Sequence, residues 1–528
     1  MKVLLIQPPY PLSEFPKPSS ALMSLGAVLQ QEGVEVEVLD LLATRFCLKK
    51  IEAHIARFQP HLIGATAVTM NFPVAAQILQ FCKKTSPESI TLMGGPHVTF
   101  TAEKTLGAYP EVDMIVCGEG EETIRELVFS LDDGRDLRKV RGLAFRHGEE
   151  IIRTESRPFI QDIDLLPLPN RTLFPLSRYL AMRVPASIIS SRGCPIGCSF
   201  CVGYRMMGRQ GRFRNPLRVV DDIESALRLG FEEICIDDDL FTRNRRHVLT
   251  ICEEIRRRRL TMKMYIFARV DTVDAELLQK LKEAGCAMIC FGLESGNQEI
   301  LDRVNKRTTL EVARRAVRLC QEAGISPFGS FILGLPGETR ETMEATQAFA
   351  QSLQIPYGFH LLAPFPGTRI REEAAELGMR ILSDDWALYD ADHAVTETEA
   401  LPAAEVENFA RVFFHNLEAR IQEMHAATLQ GAYDGPYREE MEKRIEVDFA
   451  WKLLAQDLIA ELGKIPAAEA SGGNGIKDAL SPLARRVSQS LPFPESFVRK
   501  QLQKFSERGF IVCRRTSSHY QWRWREDL

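Results

Sequence analysis

The chain has 528 residues, a length that predicts about three domains because one hydrophobic core rarely organises so much chain. Hydrophobic residues make up 45% and charged residues 26%, as in soluble globular proteins, and the net charge of −5 argues against a protein that coats nucleic acid. The first apolar run is too short for a signal peptide, no run is long enough to span a membrane, and 12 scattered cysteines suit a reducing cytoplasm.

The first third of the chain alternates between short apolar runs and helical patterns. The apolar runs predict buried parallel strands at residues 3–7, 34–39, 62–68, 90–93 and 114–117. Helical patterns lie between and after them at residues 21–31, 51–58, 74–83 and 121–130. Such units predict an open, doubly wound, Rossmann-like (flavodoxin-like) sheet over residues 1–135, with a ligand outside the carboxyl ends of its strands. A degenerate sheet without a ligand stays an alternative.

Residues 136–182 are predicted to connect this domain to the next. Residues 140–146 and 150–154 indicate a β-hairpin around His147-Gly-Glu149. Residues 162–170 then form a proline-bearing linker that lets the two domains face each other.

A β/α period is repeated six times across the second domain, residues 183–390. Strands are predicted at residues 186–190, 233–236, 264–268, 287–292, 328–333 and 358–362, with helices such as 275–284, 310–323 and 341–353 between them. Parallel strands joined by helices close into a barrel, here a partial (β/α)6 TIM-type barrel, whose chemistry belongs at the carboxyl ends of the strands. Unusual polar residues follow each strand, so six loops are expected to meet at one mouth.

Three cysteines follow the first barrel strand, in the stretch Ser191-Arg-Gly-Cys-Pro-Ile-Gly-Cys-Ser-Phe-Cys201. Cys194, Cys198 and Cys201 together can wrap one metal centre, and they are the predicted metal ligands and catalytic residues. An iron–sulfur cube usually takes four cysteines and zinc usually takes four ligands, so three leave one metal position open for chemistry. A structural zinc knuckle with a distant fourth ligand is the alternative.

The spacing of these cysteines, with Phe200 before the last, resembles the signature of radical S-adenosylmethionine (SAM) enzymes. The resemblance extends over about 200 residues and implies a 4Fe-4S cluster whose fourth iron binds SAM. It also implies that Phe200 flanks the adenine and that the acidic triplet Asp237 to Asp239 recognises the methionine amino group. Arg269 and Glu294 match positions that contact the SAM carboxylate or ribose. The resemblance further implies that the loop after the fifth strand packs near the adenine. The implied SAM-binding residues are Phe200, Asp237, Asp238, Asp239, Arg269, Glu294, Gly334 and Glu338.

The loops of the first domain resemble the cobalamin-binding domain of cobalamin-dependent radical SAM enzymes. Gly94-Gly-Pro-His97 and Gly118-Glu-Gly-Glu121 are the most specific part of that resemblance. The histidine motif that ligates cobalt in cobalamin mutases is missing, so residues 69–72 are expected nearest the lower cobalt face. The implied cobalamin contacts are Pro9, Thr66, Val68, Thr69, Met70, Asn71, Phe72, Gly94, Gly95, His97, Gly118, Glu119, Gly120 and Glu121. For His97, a turn-capping role is the alternative.

A second cluster of the methylthiotransferase type is a rival interpretation of the first domain, because Cys47, Cys82 and Cys117 are evenly spaced. Cys82 lies within a helical pattern on a face shared with Leu79, which favours a buried structural thiol.

The last region, residues 391–528, is predicted to be mostly α-helical. Helices are expected at 405–426 and 439–462, followed by a flexible segment, residues 470–475. From about residue 476 the pattern is helix (480–489), helix (494–508) and hairpin (510–514 with 520–525), as in a winged helix. This end holds 11 Lys or Arg against 5 Asp or Glu, yet a module that closes the barrel or presents a peptide substrate is favoured over DNA binding.

The resemblance implies a cobalamin-dependent radical SAM enzyme. It would cleave SAM to a 5′-deoxyadenosyl radical, abstract hydrogen from an unactivated carbon of a small molecule or peptide, and transfer a methyl group from methylcobalamin. An external flavodoxin or ferredoxin would supply electrons in the cytoplasm, with no membrane and no nucleic acid involved. The alternatives are an oxidative cyclase or other carbon–carbon rearranging enzyme, a methylthiotransferase-like enzyme, a radical SAM enzyme that does not use cobalamin, and a non-catalytic cobalamin-sensing regulator.

Overall fold

The computed structural model describes residues 1–10, 16–435, 437–470 and 476–526. Its first region holds strands β1 (Lys2–Gln7), β2 (Glu35–Asp40), β3 (Leu62–Thr66), β4 (Ile90–Gly94), β5 (Met114–Val116), β6 (Leu143–His147) and β7 (Glu150–Arg153). The helices of this region are α1 (Ser20–Gln31), α2 (Leu48–Phe58), α3 (Phe72–Thr85), α4 (Pro96–Thr99), α5 (Ala102–Ala108), α6 (Glu121–Asp132) and α7 (Leu176–Ala181).

These strands form one sheet in the order β2-β1-β3-β4-β5-β6-β7, with β1 to β5 parallel. This is the doubly wound order in which a ligand lies at the carboxyl edge. The predicted parallel strands and the predicted hairpin are confirmed. The hairpin pairs antiparallel with β5, so it extends the first sheet.

The second region holds β8 (Ala186–Ile188), β9 (Ser191–Arg192), β10 (Arg212–Phe213), β11 (Glu233–Ile236), β12 (Lys263–Ala268), β13 (Cys286–Glu294), β14 (Ser326–Leu333) and β15 (Tyr357–Leu361). Its helices are α8 (Gly203–Met206), α9 (Pro216–Arg228), α10 (Arg245–Arg257), α11 (Ala275–Glu283), α12 (Gln298–Arg303), α13 (Leu310–Glu322), α14 (Arg340–Ser352) and α15 (Arg369–Glu372). Six strands pair in parallel in the order β15-β14-β13-β12-β11-β8, which confirms the predicted partial barrel.

Strand β16 (Met379–Ile381) follows the barrel. The last region holds β17 (Thr396–Thr398), α16 (Ala403–Leu429), α17 (Arg438–Ala455), α18 (Leu458–Leu462), β18 (Lys464–Pro466), α19 (Ile476–Ser490), α20 (Glu495–Glu507), β19 (Ile511–Arg515) and β20 (His519–Trp524). The predicted single helix over 439–462 is wrong in one respect. It is broken at Asp457, whose φ of 53° is left-handed and ends the helical path. Part of the segment predicted to be flexible, residues 471–475, lies outside the described residues.

The last region packs on two sides of the barrel. Helix α16 covers the open edge strand β15, with the Phe413 ring 4.8 Å from Phe359 and 5.3 Å from Tyr357 between centroids. Lys443 of α17 pairs with Glu233 at the amino end of β11. The end of the barrel opposite the cysteine loop is therefore closed by α17. Within the part of the chain that the structure describes, none of the helices combines the length and hydropathy needed to cross a bilayer.

Candidate active site

The cysteine loop stands on a short antiparallel ladder between β9 and β10. The loop is fastened by backbone hydrogen bonds, because the Cys194 amide donates to the Gly208 carbonyl (3.0 Å) and the Ser199 amide donates to the Val304 carbonyl (3.0 Å). Gly193 has a φ of 99°, and a Cβ at this position would lie 2.4 Å from the Gln210 carbonyl oxygen. Glycine is therefore required directly before the first cysteine.

The three thiols are electrostatically coupled. Burial raises the pKa of Cys198 although Lys306 lies near enough to oppose the shift. Desolvation of the Cys201 sulfur within the loop raises its pKa to about 11 although the residue as a whole is exposed, and the charges of Cys198 and Cys194 add to the shift. Cysteine ligates metal as thiolate, so a bound cluster would have to displace these protons. Among the described residues, no three or more His, Cys, Asp or Glu side chains are gathered closely enough to hold a single metal ion.

The acidic triplet after β11 supports the loop from beneath. Asp238 accepts hydrogen bonds from the Ser190 amide (2.6 Å) and from the hydroxyls of Ser190 (2.5 Å) and Ser191 (2.7 Å). Burial raises the pKa of Asp238 to about 6 despite these donors. Asp239 accepts from the Gly193 amide at 2.8 Å. These two carboxylates, predicted to contact SAM, are thus occupied in positioning the cysteine loop.

Asp237 follows β11 and connects the two domains. Its carboxylate pairs with the Lys17 ammonium of the first domain (3.2 Å) and accepts from the Ser187 hydroxyl (2.5 Å). Lys17 was not among the predicted site residues, because nothing in its local sequence indicates a partner more than two hundred residues away.

Glu294 and Arg269 lie at the carboxyl ends of neighbouring barrel strands and carry opposite charges. Glu294 has a φ of 65°, a conformation that non-glycine residues adopt rarely and mostly at functional sites. Its buried carboxylate accepts from the Lys306 ammonium at 2.6 Å. Arg269 binds Asp271 with two hydrogen bonds of 2.9 Å. Charges of both signs suit a zwitterion such as SAM.

Glu338 stabilises the loop after β14, in which it lies. Its Oε2 accepts from the amides of Gly334 (2.6 Å) and Leu335 (3.0 Å), and burial raises its pKa to about 8. Its Oε1 has no hydrogen-bond partner among the described residues. Phe200 packs against the apolar cluster that includes Leu335, so the cysteine loop and this loop meet as predicted.

The loops of the first domain leave an open surface at the carboxyl edge of the sheet. Val68 is 38% exposed, unusual for a large apolar residue, and space for a Cβ is open at Gly118. Gly95 has a φ of 111°, and a Cβ there would lie 2.4 Å from the Ala67 carbonyl oxygen. The predicted contacts Pro9, Thr66, Met70, Gly94 and Gly120 are half-buried along the same edge, and a Cβ on Gly120 would lie 3.2 Å from the Leu25 side chain. An edge with the exposed apolar side chain of Val68 and open space at Gly118 fits a large flat ligand such as a corrin.

Other predicted cobalamin contacts are enclosed. His97 is 2% exposed, stacks on Phe72 at 4.2 Å between centroids and meets Trp386, which lies between β16 and β17, at 4.9 Å. Its Nδ1 lies 3.3 Å from the Thr69 hydroxyl, and Asn71 caps the turn by accepting from the Val68 amide at 2.9 Å. The structure gives His97 a packing role between domains in place of an open ligand position.

The Gly-Glu-Gly-Glu segment joins the two domains directly. Arg192 donates to Glu119 (2.8 Å) and Glu121 (2.6 Å), and Arg212 donates to both oxygens of Glu119 (2.8 and 2.9 Å). Although burial alone would raise the pKa of Glu121, the Arg192 charge lowers it. The two glutamates, predicted as cobalamin contacts, are thus paired with the ladder that carries the cysteines. Arg192 was missed, although its place two residues before Cys194 was a signal.

The edge of the first sheet therefore faces the mouth of the barrel. At a further contact, a Cβ on Gly367 after β15 would lie 2.4 Å from the Phe100 ring of the first domain. Of the predicted site residues, the structure brings Asp237 into contact with the first domain and Glu119 and Glu121 into contact with the second, where all three form ion pairs of the protein framework.

The comparisons with known proteins agree with this arrangement. The family model described as "Radical SAM superfamily" matches residues 188–350, and that described as "B12 binding domain" matches residues 14–128. An uncharacterized methyltransferase of Pyrococcus horikoshii is 33% identical over 419 residues, 78% of this chain and 91% of that protein. An anaerobic magnesium-protoporphyrin IX monomethyl ester cyclase of Cereibacter sphaeroides is 32% identical over 396 residues, 72% of this chain but 63% of the relative.

Solved structures share the fold. The radical SAM methyltransferase TsrM of Kitasatospora setae, with cobalamin and a 4Fe-4S cluster bound, superposes with a TM-score of 0.64 at 25% identity, covering 77% of this chain and 84% of that one. The cobalamin-dependent SAM radical enzyme OxsB gives a TM-score of 0.68 at 18% identity, covering 96% and 83%, and supports the fold alone. The chain belongs to the radical SAM superfamily, in the group that also carries a B12-binding domain. It is a radical SAM enzyme, and its cofactors are a 4Fe-4S cluster, SAM and cobalamin.

Proposed function

We propose that this enzyme is a C-methyltransferase that acts on an unactivated carbon of a small molecule or peptide. When bound, the cluster with SAM supplies hydrogen abstraction and cobalamin supplies the methyl group. The observation that carries the proposal is the ion-pair group of Arg192, Arg212, Glu119 and Glu121, which fixes the cobalamin-side loops against the cysteine loop. Two cofactors held at one interface can act on the same substrate carbon in turn.

The roles of the chain's own residues follow from their positions. Cys194, Cys198 and Cys201 would hold the cluster, and Asp238 and Asp239 would keep their loop in place. Glu294 and Arg269 would hold the charged groups of SAM, with the loop of Gly334 to Glu338 beside its adenine. Residues 69–72 would face cobalamin through the turn that they form beside the exposed Val68, because Thr69, Asn71 and Phe72 are themselves buried. Closing the domain interface over these groups would exclude water from the radical chemistry.

An exposed apolar residue inside the barrel favours a substrate that has apolar surface. Phe267 lies on β12 in the middle of the parallel sheet and is nevertheless 46% exposed. Parallel sheets are normally covered on both faces. Because the outer face packs against helices, the uncovered inner face of β12 is open for a substrate with apolar surface.

An oxidative cyclase is the second candidate, because the relative from Cereibacter sphaeroides bears that name at 32% identity. Both reactions begin with SAM cleavage, so the products separate them. In methyl transfer, a second SAM would restore the methyl group of cobalamin, so S-adenosylhomocysteine should form as well as 5′-deoxyadenosine. A cyclisation should yield only 5′-deoxyadenosine.

The remaining assignments are also proposals. We infer domain bounds of 1–135, 136–182, 183–390 and 391–528, a cytoplasmic location, and an external electron donor of flavodoxin or ferredoxin type. The three-stranded sheet β18-β20-β19 with α18, α19 and α20 supports a winged-helix-like module. Its packing at the closed end of the barrel favours a structural role over nucleic-acid binding.

The test is anaerobic reconstitution with iron, sulfide and hydroxocobalamin, followed by incubation with SAM, dithionite and candidate substrates. We expect equal amounts of 5′-deoxyadenosine and S-adenosylhomocysteine, with a product heavier by one methylene. Cys198→Ala should form no 5′-deoxyadenosine and lose bound iron, yet retain the visible spectrum of bound cobalamin. If the wild-type enzyme forms no 5′-deoxyadenosine with any substrate, the radical mechanism is wrong. If it forms 5′-deoxyadenosine but no S-adenosylhomocysteine, the methyltransferase proposal is wrong and the cyclase is favoured.

A further inference from the structure

The outer side of the cysteine loop is covered by one short segment of the barrel, residues 303–307. Asn305 donates through Nδ2 to the carbonyls of Ile196 (3.2 Å) and Gly197 (2.9 Å), which lie between the first two cysteines. Arg209 approaches from the other side, because a Cβ on Gly197 would lie 2.9 Å from its Nη1. These contacts place segment 303–307 and Arg209 directly over the loop.

Three guanidinium groups surround this covered position. Arg209 stacks over the Tyr204 ring at 4.5 Å, Arg307 donates to the Asn305 side chain at 2.9 Å, and Arg303 lies against Gly337. All three residues are exposed. Among the residues that the structure describes, no carboxylate pairs with any of these three side chains, so each keeps its full charge toward solvent.

The neighbouring charges do not neutralise this rim. Arg205 is paired with Glu372 at 2.5 Å and Arg369 with Glu373 at 3.0 Å, so these residues balance one another. The exposed acids of α12, Glu299 and Asp302, form no ion pair with these arginines among the residues that the structure describes, and Asp302 accepts a hydrogen bond from Gln298 at 2.9 Å. The rim of Arg209, Arg303 and Arg307 is therefore positive on a chain whose net charge is −5.

The positive rim lies next to the cysteines, where an electron has to enter the protein. Cys201 is the most exposed of the three cysteines as a residue, although its sulfur is desolvated, and the rim lies over the same loop. Reductive SAM cleavage consumes one electron, which has to enter the protein near these cysteines. A positive rim steers an acidic partner to the loop and raises the association rate, and small, weak interfaces are typical of electron-transfer encounters.

We propose that Arg209, Arg303 and Arg307 form the docking surface for an acidic, one-electron carrier protein. The inference depends on the proposed radical function. The step is a transfer of one electron: the carrier is oxidised by one electron, the cluster held by the three cysteines is reduced by one, and no bond forms or breaks.

The experiment compares two reductants on the reconstituted full-length enzyme, with 5′-deoxyadenosine formation as the readout. One is reduced flavodoxin, used as an acidic protein probe, and the other is dithionite, which needs no docking surface. For the double variant Arg303→Glu/Arg307→Glu at low ionic strength, we expect the flavodoxin-driven rate to fall roughly tenfold or more. The dithionite-driven rate should stay within about twofold of wild type.

A matched control carries the same charge change elsewhere. Arg259 and Arg315 are exposed and lie on other surfaces of the barrel, at the end of α10 and on α13. The double variant Arg259→Glu/Arg315→Glu should keep both rates near wild type. The milder variant Arg209→Gln should lose part of the flavodoxin-driven rate, and added salt should lower that rate in wild type but hardly in the rim variants.

Three results would overturn the proposal. They are an unchanged flavodoxin-driven rate in the rim double variant, an equal loss in the control variant, and a wild-type rate that does not respond to salt. Loss of oligonucleotide binding in the rim variant with an unchanged flavodoxin rate would assign the rim to nucleic acid instead. Failure of the radical function itself is distinct, because wild-type enzyme would then form no 5′-deoxyadenosine even with dithionite.

Discussion

The His97 imidazole is enclosed by two aromatic rings and faces one positive charge. Phe72 and Trp386 cover it, and burial together with the Arg371 charge lowers its pKa to about 4. The folded protein therefore holds His97 neutral at pH values where an exposed histidine is protonated. A neutral ring can keep its contact with the Thr69 hydroxyl, which joins the loops after β3 and β4.

This neutral state predicts a measurable loss of stability in acid. Because the folded pKa lies below the ordinary value of about 6.5, the contribution of His97 is complete above that pH and is lost as the pH falls toward 4. Between pH 7.5 and pH 5, the free energy of unfolding should fall by roughly 2 kcal/mol more in wild type than in His97→Phe. Urea unfolding at both pH values measures the difference, and equal losses in the two proteins would contradict it.

At the scale of elements, the loops after β3 and β4 are held in backbone contact at Gly95. Its φ of 111° and ψ of 174° lie in a region that is essentially restricted to glycine. The Ala67 amide also donates to the Gly94 carbonyl at 2.8 Å, so the two loops move together. This contact shapes the edge that faces the barrel.

Gly95→Ala should therefore disturb the edge more than an ordinary glycine substitution. The backbone strain costs about 1–3 kcal/mol, and the clash with the Ala67 carbonyl adds to it. Gly148→Ala is the matched control, because Gly148 has a φ of 62° with open space around it and should cost about 1–2 kcal/mol. Urea unfolding and the cobalamin content after reconstitution measure both effects; similar losses in the two variants would show that the loop contact is unimportant.

The elements were largely predictable because their signals are local. Apolar runs located every parallel strand of both sheets to within about two residues, since burial on both faces demands such runs. The break at Asp457 was missed because the sequence around it stays apolar and helix-forming, while one left-handed residue leaves little trace. Gly94-Gly-Pro-His97 marked a functional loop, but Trp386 and Arg371, which also face His97, lie hundreds of residues away and have no local signal.

At the scale of the whole molecule, the two domains share both a core and a buried ion-pair group. One continuous apolar cluster includes residues of the first sheet, the barrel and the last region. The Arg192 and Glu119 side chains are 14% and 3% exposed, so their charges are separated from water. Which acids would meet which arginines could not be predicted from the sequence, because pairing depends on how two independently folded edges meet.

Arg192→Gln should loosen this interface without unfolding either domain. It leaves Glu121 buried with only the Ser24 hydroxyl as a side-chain donor, and breaking a buried pair typically costs about 3–5 kcal/mol. Hydrogen exchange should accelerate at residues 118–121 and 191–194 and stay unchanged in β3 and β13. The double variant Arg192→Gln/Glu121→Gln should recover part of the protection, because it removes the unpaired charge.

Arg125→Gln is the control for this prediction. Arg125 pairs with Glu122 on the surface of α6, where an ion pair contributes at most about 1 kcal/mol, so its exchange pattern should match wild type. If Arg192→Gln also exchanges like wild type at residues 118–121, the ion-pair group does not hold the domains together. The fixed approach of the cobalamin-side loops to the cysteine loop would then depend on the apolar contacts of His97 with Trp386 and Phe100 with Gly367.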